Sequence, residues 1–387
     1  MFRSLVWNFT YSHPRINCWC CTRTVCGTDC LPSLLYASGV VFFSEMYPRW
    51  SSRIRFLLFP ATLFGALGLF ILLKSTLSSL FTFECQNNCD SSSQSNEPFI
   101  FIGGYPRSGT TLMRVLLDVH PSIRCGPETH ILPHFLYLYS SKIAPLFDKR
   151  LHEANISHEL VDSIYVSMIS GLLHKTGPDA KRLCVKDPFI DFNLKYLLHL
   201  FPNGKFILMV RDGRAVANSI ISRTVRIVGV DTSNPEKLVK TWNSHYKYVT
   251  AECEASERCM IVRYEELVLR PRETLGYVLA WLDVPWDEVV MQHDQNMGEV
   301  KLSRKEKSTQ QVVFPIYTEA LNQWALPGSK ISQALILRSQ SMEMMKYFGY
   351  ANLSIPPVYG IPEPEVLRRS QSLRMNAEFK KLFDSLH

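Results

Sequence analysis

The 387-residue sequence predicts an α/β fold: a central parallel sheet flanked by helices, preceded by one N-terminal transmembrane helix. Three observations carry that expectation. Short apolar runs of strand length alternate with stretches whose apolar residues recur at helical spacing. The first of these runs ends in a glycine-flanked loop that leads directly into a helix. Finally, Phe56 to Leu73, FLLFPATLFGALGLFILL, is an uncharged run of 18 residues, just long enough to cross a hydrocarbon core of roughly 30 Å.

From the N-terminus, residues 1–55 read as a cytosolic tail, 56–81 as a signal-anchor, 82–97 as a stem and 98–387 as the globular domain. Arg49, Arg53 and Arg55 precede the apolar run while Glu84 and Asp90 follow it. The positive-inside rule therefore puts the tail in the cytosol and the bulk of the chain in a lumen. A cleaved signal peptide is disfavoured because 55 residues stand ahead of the run. A buried core helix is the competing reading. Met46 would open a shorter tail. The cluster CWCCTRTVCGTDC lacks two separated CxxC pairs, so palmitoylation or no role suits it better than a metal knuckle. The stem, TFECQNNCDSSSQSNE, has the serine-rich polar composition of a flexible linker.

The net charge of +7 divides into +2 in residues 1–97 and +5 in the remainder. That suits an anionic ligand or an ordinary basic surface. No Lys/Arg block of the kind that marks nucleic-acid binders is present. Sequons at Asn155 and Asn352 and an even second group of cysteines fit an oxidising, glycosylating lumen. The sequon at Asn8 would lie on the cytosolic side.

Within the globular domain the expected strands are Phe99–Ile102, Leu183–Val185, Lys205–Val210 and Cys259–Tyr264. Helical spacing marks TTLMRVLLDVH, ELVDSIYVSMISGLLHK, DFNLKYLLHLF, GRAVANSIISR and LVKTWNSHYKYVTAECEAS between them. Ligands of such a sheet gather at the carboxyl ends of its strands.

The loop after the first strand is Gly104-Tyr-Pro-Arg-Ser-Gly109-Thr-Thr. Its glycines let backbone N–H groups approach an anion, and the following helix points its positive end there. A nucleoside-triphosphate loop carries lysine after the second glycine. Here Thr110 holds that slot and Arg107 is the cation inside the loop. The loop suits one phosphate and lacks the part that steadies a transferring γ-phosphate, which disfavours a nucleotide kinase. KFILMVRDGRAVANS supplies a second anion site, with Arg211 at a strand end and Ser219 eight residues on. A salt bridge from Arg211 to Asp212 or a neighbour is the alternative.

The motif PxxGTT after a strand resembles the cofactor loop of sulfotransferases. FIGGYPRSGTTLMRVLLDVHPSIRCGPET, LCVKDPF, FPNGKFILMVRDGRAVANSIISR, RYEELVLRP, KLSRKEKSTQQV and YANLSIPPVYGIPEP look like the tyrosylprotein sulfotransferases in particular, in the same order from about Phe99 to Pro364. The resemblance implies a P-loop-like sulfotransferase fold and a Golgi type II membrane enzyme. It implies transfer of sulfonate from 3′-phosphoadenylyl sulfate (PAPS) to tyrosine hydroxyls in acidic protein contexts, homodimerisation, and no metal. Glu128 is then the general base. Arg107, Lys186 and Ser308 serve the sulfonate and the leaving phosphate. Ser108, Gly109, Thr110 and Thr111 of the loop, Arg211, Ser219, Arg223, Tyr264 and Gln323 contact the nucleotide, with Arg211 and Ser219 on its 3′-phosphate. The resemblance also implies the disulfides Cys125–Cys184 and Cys253–Cys259, with free buried thiols as the other reading.

Three positions depart from the family's pattern. His130 and His134 replace arginines that meet acidic residues around the acceptor, and Gln323 replaces a lysine at the cofactor. As metal ligands, the two histidines lack a third partner. A Golgi carbohydrate sulfotransferase, or a weakened paralogue that binds PAPS or peptide, are the competing readings. Histidine is charged only in part between pH 5.5 and 7.5. The preference for acidic over neutralised tyrosine peptides is therefore expected to weaken as pH rises through that window, measured as a ratio of kcat/KM values. A constant ratio contradicts it.

Overall fold

The computed structural model describes residues 95–138, 144–303 and 306–385. The expected tail, the anchor, the stem up to residue 94, the cysteine cluster, Met46 and Asn8 lie outside them. Among the described residues, no helix is long and apolar enough to cross a membrane.

The first half of the chain builds β1 (Ile100–Gly103), α1 (Thr110–Asp118), β2 (Ile123–Cys125), α2 (Leu132–Leu138), α3 (Ala144–Glu153), α4 (His158–Lys175) and β3 (Arg182–Lys186). There follow α5 (Leu194–Leu200), β4 (Lys205–Val210), α6 (Gly213–Ser222), α7 (Pro235–Glu254), β5 (Cys259–Arg263), α8 (Tyr264–Leu269) and α9 (Pro271–Trp281). A run of short turns and helices then includes α10 (Thr309–Val312).

The sheet order is β2-β3-β1-β4-β5, and every pairing is parallel. Its strands read as near-continuous apolar runs because both faces are covered. Phe101, Phe206, Leu208 and Val210 point into one core with Ile169 of α4, Leu197 of α5 and Trp242 of α7. The alternate residues Ile100, Ile102, Ile207 and Met209 face the other core, against Met113 and Leu116 of α1 and Leu275 and Leu279 of α9.

Four of the five strands match the expected ones to within a residue at their ends. The fifth, β2, is only Ile123-Arg-Cys125, too short to show a period of its own. Helices begin where side chains can satisfy free N–H groups. Ser157 accepts from Leu160 N (3.2 Å), Asp212 from Arg214 N (2.9 Å) and Asn234 from Lys237 N (3.1 Å). Pro235 follows the last of these at the first helical position.

From β1 the chain runs to β2 and β3 on one side, then crosses to β4 and β5 on the other. A crevice therefore opens above the carboxyl end of β1, between β3 and β4. Both implied disulfides are present. Cys125–Cys184 joins directly paired residues of β2 and β3. Cys253–Cys259 ties the end of α7 to the start of β5. The first bridge closes a loop spanning 59 positions. Replacing both of its cysteines by alanine should lower the free energy of unfolding by about 2–5 kcal/mol, read from denaturant midpoints. An unchanged midpoint would contradict that role.

Candidate active site

Five of the expected site residues stand at or just beyond the carboxyl end of a strand: Arg107 after β1, Glu128 after β2, Lys186 ending β3, Arg211 after β4 and Tyr264 after β5. The segment around α10 adds Glu306, Ser308 and Gln311.

The loop after β1 depends on two glycines. Gly104 has φ +147°, and a Cβ there would lie 2.5 Å from the Met209 carbonyl oxygen. Gly109 has φ +97°, and its Cβ would lie 2.4 Å from the Tyr264 ring. Arg107 sits between them at φ 75°, a left-handed conformation that costs a side-chain-bearing residue on the order of 1–3 kcal/mol. That backbone aims its guanidinium into the crevice. Arg107 Nε donates to Ser219 Oγ (3.0 Å), one terminal nitrogen to Ser308 Oγ, and the other to Gln311 Oε1 (2.9 Å).

Arg223 Nη1 donates to the same Ser219 oxygen at 2.9 Å. With both lone pairs of Ser219 engaged, its own O–H remains to be given to an acceptor in the crevice. Arg211 stacks on Tyr264, 4.4 Å from the ring centre, and donates to the carbonyls of Arg107 (3.3 Å) and Ala320 (2.8 Å). Its expected alternative partner is taken, because Asp212 pairs with Arg214 at 2.7 Å.

Among the described residues, no carboxylate forms an ion pair with Arg107, Arg211 or Arg223. Burial, aided by the charges of Arg223 and Arg211, pulls the Arg107 guanidinium down to about 9. Burial likewise lowers Arg223. The Nε atoms of Arg211 and Arg223 are buried without a partner. Such a cluster is built for an anion of more than one charge.

Lys186 presents the opposite arrangement. It is wholly buried, and its ammonium donates to Thr111 Oγ1 (3.2 Å), to Glu306 Oε2 (3.0 Å) and to Glu128 Oε1. Burial works to raise the Glu306 carboxyl. The Lys186 charge and the Glu128 N–H, which donates to Glu306 Oε1 at 3.0 Å, outweigh it and hold Glu306 below its ordinary range. The segment carrying Glu128 is pinned a second time, since Thr129 Oγ1 (2.6 Å) and His130 N (2.9 Å) donate to Asp187.

Three adjoining hollows form one groove. A cavity of 390 Å³ lies among Arg107, Thr110, Thr111, Glu128, His130, Arg226, Glu306, Lys307 and Ser308. Arg107 and Ser308 also border a hollow of 60 Å³ lined by Gly109, Arg211, Tyr264 and Tyr317. Arg211 and Tyr264 continue into a third, of 30 Å³, with Ser219, Arg223, Gln323 and Trp324.

Most of the expected site residues therefore meet in this groove. Ser108 and Lys186 do not line it: Lys186 is wholly buried and meets the groove through Thr111, Glu128 and Glu306, and Ser108 is buried with its hydroxyl 2.9 Å from the Tyr246 hydroxyl. Gln323 reaches the third hollow while its Nε2 donates to the Glu319 carbonyl (3.2 Å). His130 is exposed at the cavity mouth, with Nε2 3.3 Å from Glu128 Oε2, and His134 is exposed on α2. Asn155 and Asn352 are both exposed. Glu306 and Gln311 escaped the sequence reading, although both stand beside Ser308 in EKSTQQV.

Residues 98–288 match the family model described as "Sulfotransferase family". Protein-tyrosine sulfotransferase A of Caenorhabditis elegans is 40% identical over 290 residues, covering 73% of this chain and 76% of that one. Protein-tyrosine sulfotransferase 1 of Danio rerio is 40% identical over 288 residues, covering 73% and 80%. A solved sulfotransferase domain from the Synechococcus PCC 7002 olefin synthase is 20% identical, covering 72% of this chain and 94% of its own, with a TM-score of 0.43.

Asp187 gives the site a pH signature. Burial, opposed by its two hydrogen bonds and by Lys186, pushes its carboxyl up to about 6, above an unfolded value of about 3.9. The native state therefore holds this proton more tightly. The associated stability is complete below about pH 4 and lost as pH rises through about 6, amounting to roughly 2–3 kcal/mol. Asp187→Asn should flatten the stability profile between pH 4 and 6.5, measured by denaturant unfolding. Superimposable profiles would contradict the assignment.

Proposed function

The chain belongs to the protein-tyrosine sulfotransferase family, and on that premise we propose that it transfers the sulfonate of PAPS to tyrosine hydroxyls of acidic protein segments. The observation that carries this reading is the cluster of Arg107 and Arg223 on Ser219 with Arg211 beside them, unpaired with any carboxylate among the described residues. It suits the 3′-phosphate that distinguishes PAPS from ATP and other nucleotides lacking it. The glycine loop with Thr110 and Thr111 suits the 5′ end.

The donor supplies a sulfonate carried on a phosphate leaving group. In the balanced reaction the phenol oxygen bonds to sulfur, the bond from sulfur to the bridging oxygen breaks, and its electron pair leaves with adenosine 3′,5′-bisphosphate. Glu128, at the large cavity, is placed to hold the phenol proton, which a group with a pKa near 10 does not surrender to water readily. Lys186 and Arg107 stand where negative charge builds on the leaving side. His130, Arg226 and Lys307 line the same cavity and favour an acidic acceptor.

Residence in the Golgi membrane as a single-pass type II protein, with the described domain in the lumen, is part of the same proposal. The uncharged run after Arg49, Arg53 and Arg55 supports it, as do the exposed sequon asparagines and the two disulfides. So is the homodimer that the family resemblance implies.

The decisive test incubates the full chain with labelled PAPS and an acidic tyrosine peptide. Label is expected on the tyrosine oxygen, and Glu128→Ala should lower kcat by roughly 10²–10⁴-fold. No transfer by the unmutated chain would contradict the reading.

A further inference from the structure

Glu306 is a buried carboxylate to which the proposed chemistry assigns no part, yet it touches both residues that the chemistry uses. Its two oxygens are divided between them: Oε2 accepts from the Lys186 ammonium at 3.0 Å and Oε1 from the Glu128 backbone N–H at 3.0 Å. The side chain is 3% exposed, against 12% for Glu128. One rigid group thus sets the spacing between the candidate base and the candidate cation.

The donor count on Lys186 has a consequence. An ammonium has three N–H bonds, and here Thr111, Glu306 and Glu128 engage all three. A sulfonate oxygen can pair with Lys186 only where one acceptor gives way. Thr111 is fixed on α1, and Glu306 is held twice. Glu128 is the most exposed of the three, and the second partner of its carboxylate, His130 at 3.3 Å, is itself exposed at the surface. We propose that Glu306 is a positioning residue that keeps Lys186 in place while Lys186 exchanges the Glu128 carboxylate for an anionic oxygen of the donor.

On this account the resting site holds its base shut. Glu128 is neutralised by Lys186 until the sulfonate takes its place, and only then is its carboxylate free for the phenol proton. Glu306 prevents the opposite outcome, in which Lys186 follows Glu128 and leaves the sulfonate without a cation. The two carboxylates around one ammonium also leave an excess negative charge, so Glu128 opposes donor binding in proportion to its competition for Lys186.

This inference rests on the sulfotransferase reading, and binding measurements separate the two. PAPS and adenosine 3′,5′-bisphosphate differ only in the sulfonate. In Glu128→Gln the ratio of PAPS affinity to bisphosphate affinity should rise threefold or more, because the competing carboxylate is gone. In Glu306→Gln, kcat should fall at least tenfold while bisphosphate affinity stays within threefold, the mark of lost positioning rather than lost fold. A Glu306→Gln chain that binds bisphosphate and keeps kcat within threefold overturns the proposal. If that variant no longer binds bisphosphate, the Glu128→Gln ratio decides, and an unchanged ratio overturns it. An unmutated chain that binds both nucleotides without transferring sulfonate sinks the functional reading, while the exchange is still read from the ratio.

Discussion

Arg107 and Arg223 converge on one serine hydroxyl with Arg211 beside them, none paired with a carboxylate among the described residues, and the rest of the site is arranged around that cost. Uncompensated charge in a protein interior is expensive. Here burial and mutual repulsion already weaken the hold of Arg107 on its proton. The fold offsets the cost by giving the guanidiniums neutral acceptors: Ser219, Ser308, Gln311, two carbonyls and the face of Tyr264. These orient the charge without cancelling it. An arriving anion then meets a preorganised field instead of having to break salt bridges first.

Behind the other end of the groove, at the buried Lys186, the rule is reversed. Lys186 is compensated twice over, by Glu128 and Glu306. One half of the groove is therefore a standing anion holder, and the other becomes one only by exchange. The difference follows from position. The arginines come from the β1 loop, the end of β4 and the end of α6, whereas Lys186 closes β3 beside the segment that carries Glu128. The Cys125–Cys184 bridge binds β2 to β3 just below that segment, so Glu128 and Lys186 share one braced pair of strands.

Much of this was legible in the sequence, for identifiable reasons. The loop residues, Lys186 and Arg211 lie at the carboxyl ends of strands, where local pattern and function coincide, and Ser219 follows two turns into the next helix. β4 was readable over its whole length because five consecutive apolar residues, Phe206 to Val210, follow Lys205. What stayed hidden was long-range pairing. Glu306 meets Glu128 across 178 positions and Lys186 across 120, and no local spacing encodes such meetings. Ser108 looked like a ligand contact because of its place in the loop, but Tyr246, from the middle of α7, turns its hydroxyl into the core. The Asp212–Arg214 pair is local, two residues apart, and it is what leaves Arg211 available.

The central claim is that the arginine cluster exists to hold a second phosphate, and calorimetry can address it directly. The affinity of the full chain for adenosine 3′,5′-bisphosphate should be compared with that for adenosine 5′-monophosphate in one buffer. Two charge-assisted contacts, each worth roughly 1.5–3 kcal/mol, predict a preference for the bisphosphate of at least a hundredfold, largely lost in Arg211→Ala. Equal affinities for the two nucleotides would contradict the account at its foundation.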